Sequence, residues 1–139
     1  VAYVRKRGIR SNVGFIAERQ KMLDGLVAEV NRRALPFVLW GVSHHLLPYI
    51  SILGKVDTLV AVDGSPSKVD RYIPSTNLKV KPIDMLRSLS HGYVAVTAPR
   101  FRDEIVGELT RMFGSTRVDE ALSEDLGFTV FECSSPVAG

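Results

Sequence analysis

Four short apolar runs recur along the chain: FVLW at 37–40, TLVAV at 58–62, YVAVT at 93–97 and FTVF at 128–131. Runs of this length without polar alternation are covered on both faces, as strands inside a parallel sheet are. The segments between them carry helical patterns. From residue 11 to about 34, Phe15, Met22, Leu23, Leu26, Val27 and Val30 share one helical face, and Glu18, Arg19, Lys21, Glu29 and Arg32 lie elsewhere. Ser11 or Asn12 is expected to cap that helix, and Pro36 to end it. Further helices are expected at 46–53, stopped by Gly54, at 82 to about 89, and at 102–113, stopped by Gly114, with a short strand at 78–80. Strand and helix alternating in this way predict an α/β fold: a Rossmann-like, doubly wound, mostly parallel sheet with flanking helices.

One domain is expected over residues 11–133, after a basic segment at 1–10 and before a flexible tail at 134–139. The 139 residues suit a single core, and the apolar fraction of 45% with 24% charged residues is that of a globular domain. No apolar run approaches the roughly 20 residues that cross a bilayer, so no membrane partner is expected. The opening VAYVRKRGIR has no apolar segment behind it and does not read as a secretory signal. Its first residue is Val1 rather than methionine, which reads as a fragment or a processed piece. A lone cysteine, Cys133, excludes an internal disulfide and a cysteine zinc cluster, and points to a reducing, cytoplasmic setting. The net charge of +3 sits partly in Arg5, Lys6, Arg7 and Arg10. With no recognition motif beside it, that charge reads as solvated surface, and nucleic acid is not an expected partner. A homo-oligomer is compatible with the chain; a coiled-coil seam is not, because the leading pattern lasts too few heptads.

In such a sheet, ligands bind outside the carboxyl ends of the strands, near the point where strand order reverses. Three polar loops are expected to meet there: Gly41-Val42-Ser43-His44-His45, Asp63-Gly64-Ser65-Pro66-Ser67-Lys68 and Ala98-Pro99-Arg100-Phe101-Arg102. Gly41 permits a tight turn, Ser43 can cap the next helix, and the free amides there favour an anion. A dinucleotide fingerprint would place glycines where His44 and His45 stand, so a phosphate contact fits better than a snug dinucleotide. Neighbouring helical residues point about 100° apart, so the two histidines do not grip one metal ion, and no metal site is assigned. They are helix-start residues, a general base, or donors to a phosphate or sugar. Asp63 ends a strand where an acid can hold a ribose hydroxyl pair, or it starts the turn that follows. Lys68 and Arg71 are phosphate contacts or surface cations. Arg100 and Arg102 flank Phe101, offering charge for phosphate and a ring face for a base, with core packing as the other role for Phe101. Asp103 and Glu104 serve the helix dipole. No catalytic residue is assigned.

The order of these features resembles the C-terminal domain of S-adenosylmethionine-dependent sugar C-methyltransferases. The matching features are the long leading helix, Gly41, Asp63 followed by Pro66 to Lys68, Tyr72 to Pro74, Pro82, and Phe101 before Asp103 to Ile105. The likeness covers roughly residues 11–113, with Gly64, Val69 or Asp70, and Ser75 standing where the family commonly has an acid, a glycine and a glycine. The resemblance implies a domain that helps hold a nucleotide-linked sugar or another phosphorylated small molecule. Gly41, Ser43, His44, His45, Asp63, Lys68, Arg100 and Phe101 would be its contacts. It also implies no cofactor in this chain, with S-adenosylmethionine bound by a preceding methyl-donor domain of the same polypeptide, and no methyl transfer by this domain alone. Two other readings stay open: a NAD-binding oxidoreductase or sensor domain, and a noncatalytic interaction domain that has lost its ligand.

Overall fold

Helix α1, Ala2–Arg32, buries Leu23, Val27 and Val30, whose spacing of four and three residues keeps them on one side of the helix. The computed structural model describes the backbone at residues 2–41, 48–73, 76–97, 102–114, 118–122 and 128–134, and their side chains apart from 2–16 and 119–122. The helix begins nine residues before the expected start, so Ser11 and Asn12 lie inside it rather than at its amino end. Its first third carries Arg5, Lys6, Arg7 and Arg10, residue types that form helix without needing an apolar face. At the other end Ala34 takes a left-handed φ of 54°, and the amide of Leu35 donates to the Val30 carbonyl, closing the helix ahead of Pro36.

The strands are β1 (Phe37–Trp40), β2 (Leu59–Asp63), β3 (Val80–Pro82), β4 (His91–Val96), β5 (Val118–Leu122) and β6 (Thr129–Ser134). They form one six-stranded sheet in the order β3-β2-β1-β4-β6-β5. The first four are mutually parallel; β6 runs antiparallel to both β4 and β5. The chain is thus of the α/β class, with a mostly parallel mixed sheet. Helix α2 (Ile50–Leu53) and α1 cover one face; a 3₁₀ helix (Ile83–Ser88) and α3 (Arg102–Phe113) cover the other. Strand alternation divides the core accordingly. Phe37, Leu39, Ala61, Tyr93 and Ala95 meet α1 and α2, whereas Val38, Trp40, Val62, Val94 and Val96 meet α3 and the 3₁₀ helix. The large apolar side chains described on α1 are spent on this packing, apart from the half-exposed Met22.

Several boundaries differ from expectation. Strand β3 sits two residues later than predicted, the helix expected at 82–89 is two turns of 3₁₀ helix, and β5 was not expected at all. Of the helix expected at 46–53, residues 46 and 47 lie outside the described residues. Ser134 belongs to β6 rather than to the tail.

At the amino end of β4, a polar network ties α1 to the sheet. Arg33 donates to the Tyr93 hydroxyl at 2.7 Å and lies 3.3 Å from the Glu132 carboxylate, which also sits 2.7 Å from His91 Nε2. Burial alone would raise the pKa of Glu132, but the His91 hydrogen bond and the Arg33 charge outweigh it and hold the carboxyl below its ordinary range. A carboxylate held low contributes stability that is complete above its unfolded pKa and lost as pH falls through the folded one. Glu132→Gln is therefore expected to cost about 1–2 kcal/mol at neutral pH. In urea titrations the gap to the parent should close between about pH 5 and pH 3. A gap independent of pH would mean that the charge contributes nothing.

Candidate functional site

The sheet order places β1 between β2 and β4, so the chain builds outward to β3 on one side and then crosses back to the other. At this reversal the ends of β1 and β4 are tied together: the Thr97 amide donates to the Trp40 carbonyl at 3.1 Å, and the Thr97 hydroxyl donates to the Gly41 carbonyl. Gly41 has a φ of 83°, a left-handed conformation that costs a residue with a Cβ about 1–2 kcal/mol. Its amide donates to the Val62 carbonyl at 3.0 Å, so the turn leaves the sheet between β1 and β2.

Beside that turn lies an open cleft of about 910 Å³, within the range of small-molecule sites. Its walls are the β1 end (Trp40, Gly41), the β2 turn (Asp63, Gly64, Ser65, Lys68), Ile83 and one face of α3. That face is Glu104, Gly107, Glu108 and Arg111, spaced by three and four residues, together with Asp103 and the flank of Ile105. It turns away from the stripe Ile105, Leu109 and Phe113 that α3 buries against the sheet.

Asp63 is the best-fixed polar group here. Its side chain is 12% exposed, and Oδ1 accepts the Ser65 amide at 2.8 Å, which shapes the turn. Lys68 Nζ stands 3.8 Å from Oδ2, too far for a hydrogen bond, on a side chain that is 55% exposed. A carboxylate offers about four acceptor positions, so Asp63 keeps capacity on the cleft side. Ser65 and Ser67 share a hydroxyl contact of 2.9 Å, and the Lys68 amide closes the turn on the Ser65 carbonyl.

The lining is more acidic than a phosphate site requires. Asp63, Asp103, Glu104 and Glu108 face Lys68 and Arg111; Lys68 leans on Asp63, and Arg111 pairs with Glu108. The described walls therefore suit hydroxyl and N–H donors better than an anion.

Of the residues singled out by sequence, Gly41, Asp63 and Lys68 line this one cleft. Ser43, His44, His45, Arg100 and Phe101 lie outside the described residues. Arg102 is turned to β6 instead: its Nε is 3.3 Å from the Thr129 hydroxyl, and its guanidinium lies over the Phe131 ring. Arg71 is exposed and does not line the cleft. Sequence reading missed Trp40, Ile83, Gly107, Glu108 and Arg111. Among the described residues no cluster of His, Cys, Asp and Glu is arranged to hold a metal ion, and no helix is long and apolar enough to cross a membrane. Comparison with known proteins finds no matching family model, no matching curated protein and no matching solved structure.

Proposed function

We propose that this chain is a Rossmann-like ligand-binding domain that holds a nucleotide-linked sugar, as the substrate-holding part of an S-adenosylmethionine-dependent C-methyltransferase. The observation that carries the reading is Asp63: a largely buried carboxylate at the end of β2, with spare acceptor capacity, on a cleft of ligand size beside the point where strand order reverses. Such a group takes a pair of sugar hydroxyls. The acidic wall of α3 supports the same assignment, because it favours the hydroxyl-bearing part of a ligand over its phosphates. On this reading the phosphates fall to Ser43, His44, His45 and Arg100.

The chain's own residues do not fit the methyl donor. A methyl-donor loop after the first strand is acidic and glycine-rich, and here Gly41 is followed by Val42, Ser43, His44 and His45. The donor and the base that deprotonates the sugar carbon belong, on this proposal, to another domain. The work of this one is binding and orientation, which lowers the barrier by converting an encounter into a positioned complex.

Calorimetric titration of the chain with a panel of nucleotide-sugars tests the reading. Saturable heat with at least one of them at micromolar concentrations is expected. Silence across the panel up to high micromolar concentrations rejects it.

A further inference from the structure

The reading above leaves one group on the cleft without a task. Trp40 is 4% exposed and lines the cleft floor. No hydrogen bond ties its indole N–H to a described residue, and the residue lines the cleft. Buried tryptophan normally places this N–H on an acceptor, because an indole donor kept from water without one is costly. Around it the floor is apolar, from Ile83 and Ile105. Gly107 lines the same cleft, and a Cβ built there would meet no atom within 4 Å. A helix-interior glycine costs about 1 kcal/mol against alanine, and no neighbour of this one requires it. What the glycine does leave is bare helix backbone beside the indole floor.

We propose that this part of the cleft is the subsite for the nucleobase. The planar ring lies on the apolar floor against the bare backbone at Gly107, with one ring acceptor on the Trp40 N–H and its own N–H donors toward the α3 carboxylates. The floor excludes phosphate on two grounds: it is apolar, and the neighbouring cations are already paired. The base then sits at Trp40 and the adjoining sugar hydroxyls reach Asp63. This assignment rests on the proposed ligand class and specifies which part of the ligand goes where.

Trp40 is the single tryptophan of the chain, so a ¹H–¹⁵N spectrum holds one indole N–H signal. The folded wild-type chain is titrated with uridine, cytidine, guanosine and adenosine, with their diphosphate sugars, and with glucose 1-phosphate as the probe that lacks a base. The expected result is a saturable downfield shift of the indole signal with a nucleoside and its diphosphate sugar, and none with glucose 1-phosphate. Trp40→Phe keeps an aromatic floor but removes the donor, and it should weaken the same nucleoside at least about fivefold, the effect of one hydrogen bond. Should that variant not fold, the wild-type indole signal decides alone. Calorimetric binding of a diphosphate sugar with an unmoved indole signal overturns the base subsite and leaves the proposed function standing. An equal shift with glucose 1-phosphate overturns the subsite as well. No heat and no shift with any probe overturns both.

Discussion

Gly92→Ala is expected to destabilise the domain by about 2–3 kcal/mol, the range of an overpacked core. Gly92 lies in the middle of the sheet, on β4, paired with Cys133 of β6. A Cβ there would stand 2.9 Å from the Pro36 carbonyl oxygen, 3.0 Å from Pro36 Cγ and 3.2 Å from Leu89 Cδ2. The first contact decides the sign. That oxygen accepts the Tyr93 amide at 2.9 Å, so it cannot retreat without breaking the bond that holds the entry to β1 against β4. Proline next to it leaves the chain little freedom to adjust, since its φ is fixed. For a domain of 139 residues the loss corresponds to a fall in melting temperature on the order of 10 °C. Gly25→Ala is the control. It lies in α1, and nothing stands within 4 Å of its added Cβ, so the same substitution should stabilise by about 0.5–1 kcal/mol through helix propensity. Thermal unfolding of the two variants measures both signs in one experiment, and a Gly92→Ala protein as stable as the parent would mean that the Pro36 carbonyl yields.

The class of the fold was legible because strands inside a parallel sheet have to be apolar on both sides. FVLW and YVAV announce themselves for that reason, and each is buried throughout within its described strand. Strand β5 carries VDEAL, with two carboxylates and no run of branched residues, and as an edge strand bonded on one side only it had no pattern to betray it. The antiparallel insertion of β6 between β4 and β5 was equally silent, because an apolar run does not encode direction. Helix α1 was under-read at its start because periodicity reports an apolar face and not the helix itself. In the cleft, Gly41 and Asp63 stood out as the residues that end strands, which is where the topology of this class puts ligands. The α3 wall was harder to see. Glu104, Gly107, Glu108 and Arg111 read as the solvated side of an amphipathic helix, and only the turn of β2 folding toward that side makes it a wall. Trp40 was hidden by its own strand, where an aromatic residue looks like core.

Asp63→Ala is expected to weaken nucleotide-sugar binding by about 10–100-fold, the equivalent of losing hydrogen bonds to a charged group in a partly buried site. The substitution removes two things together: the acceptor that fixes the Ser65 amide and the carboxylate that faces the cleft. Asp63→Asn separates them. An asparagine side-chain oxygen can still accept the Ser65 amide at 2.8 Å and keep the turn, but it replaces one acceptor oxygen with an NH₂ donor and discards the charge. If Asp63 serves only the turn, the asparagine variant binds as the parent does and melts at nearly the same temperature. If it grips a hydroxyl pair, the variant keeps its melting temperature and loses about tenfold or more in affinity, because two hydroxyl donors then face a single oxygen and a competing donor. The ion pair with Lys68 provides the internal check. At 3.8 Å on a half-exposed lysine it contributes at most about 1 kcal/mol, so Lys68→Met should leave the fold intact and change binding less than either substitution at Asp63. A larger effect from Lys68→Met than from Asp63→Asn would reverse the assignment, and would make the cleft a site for anions after all.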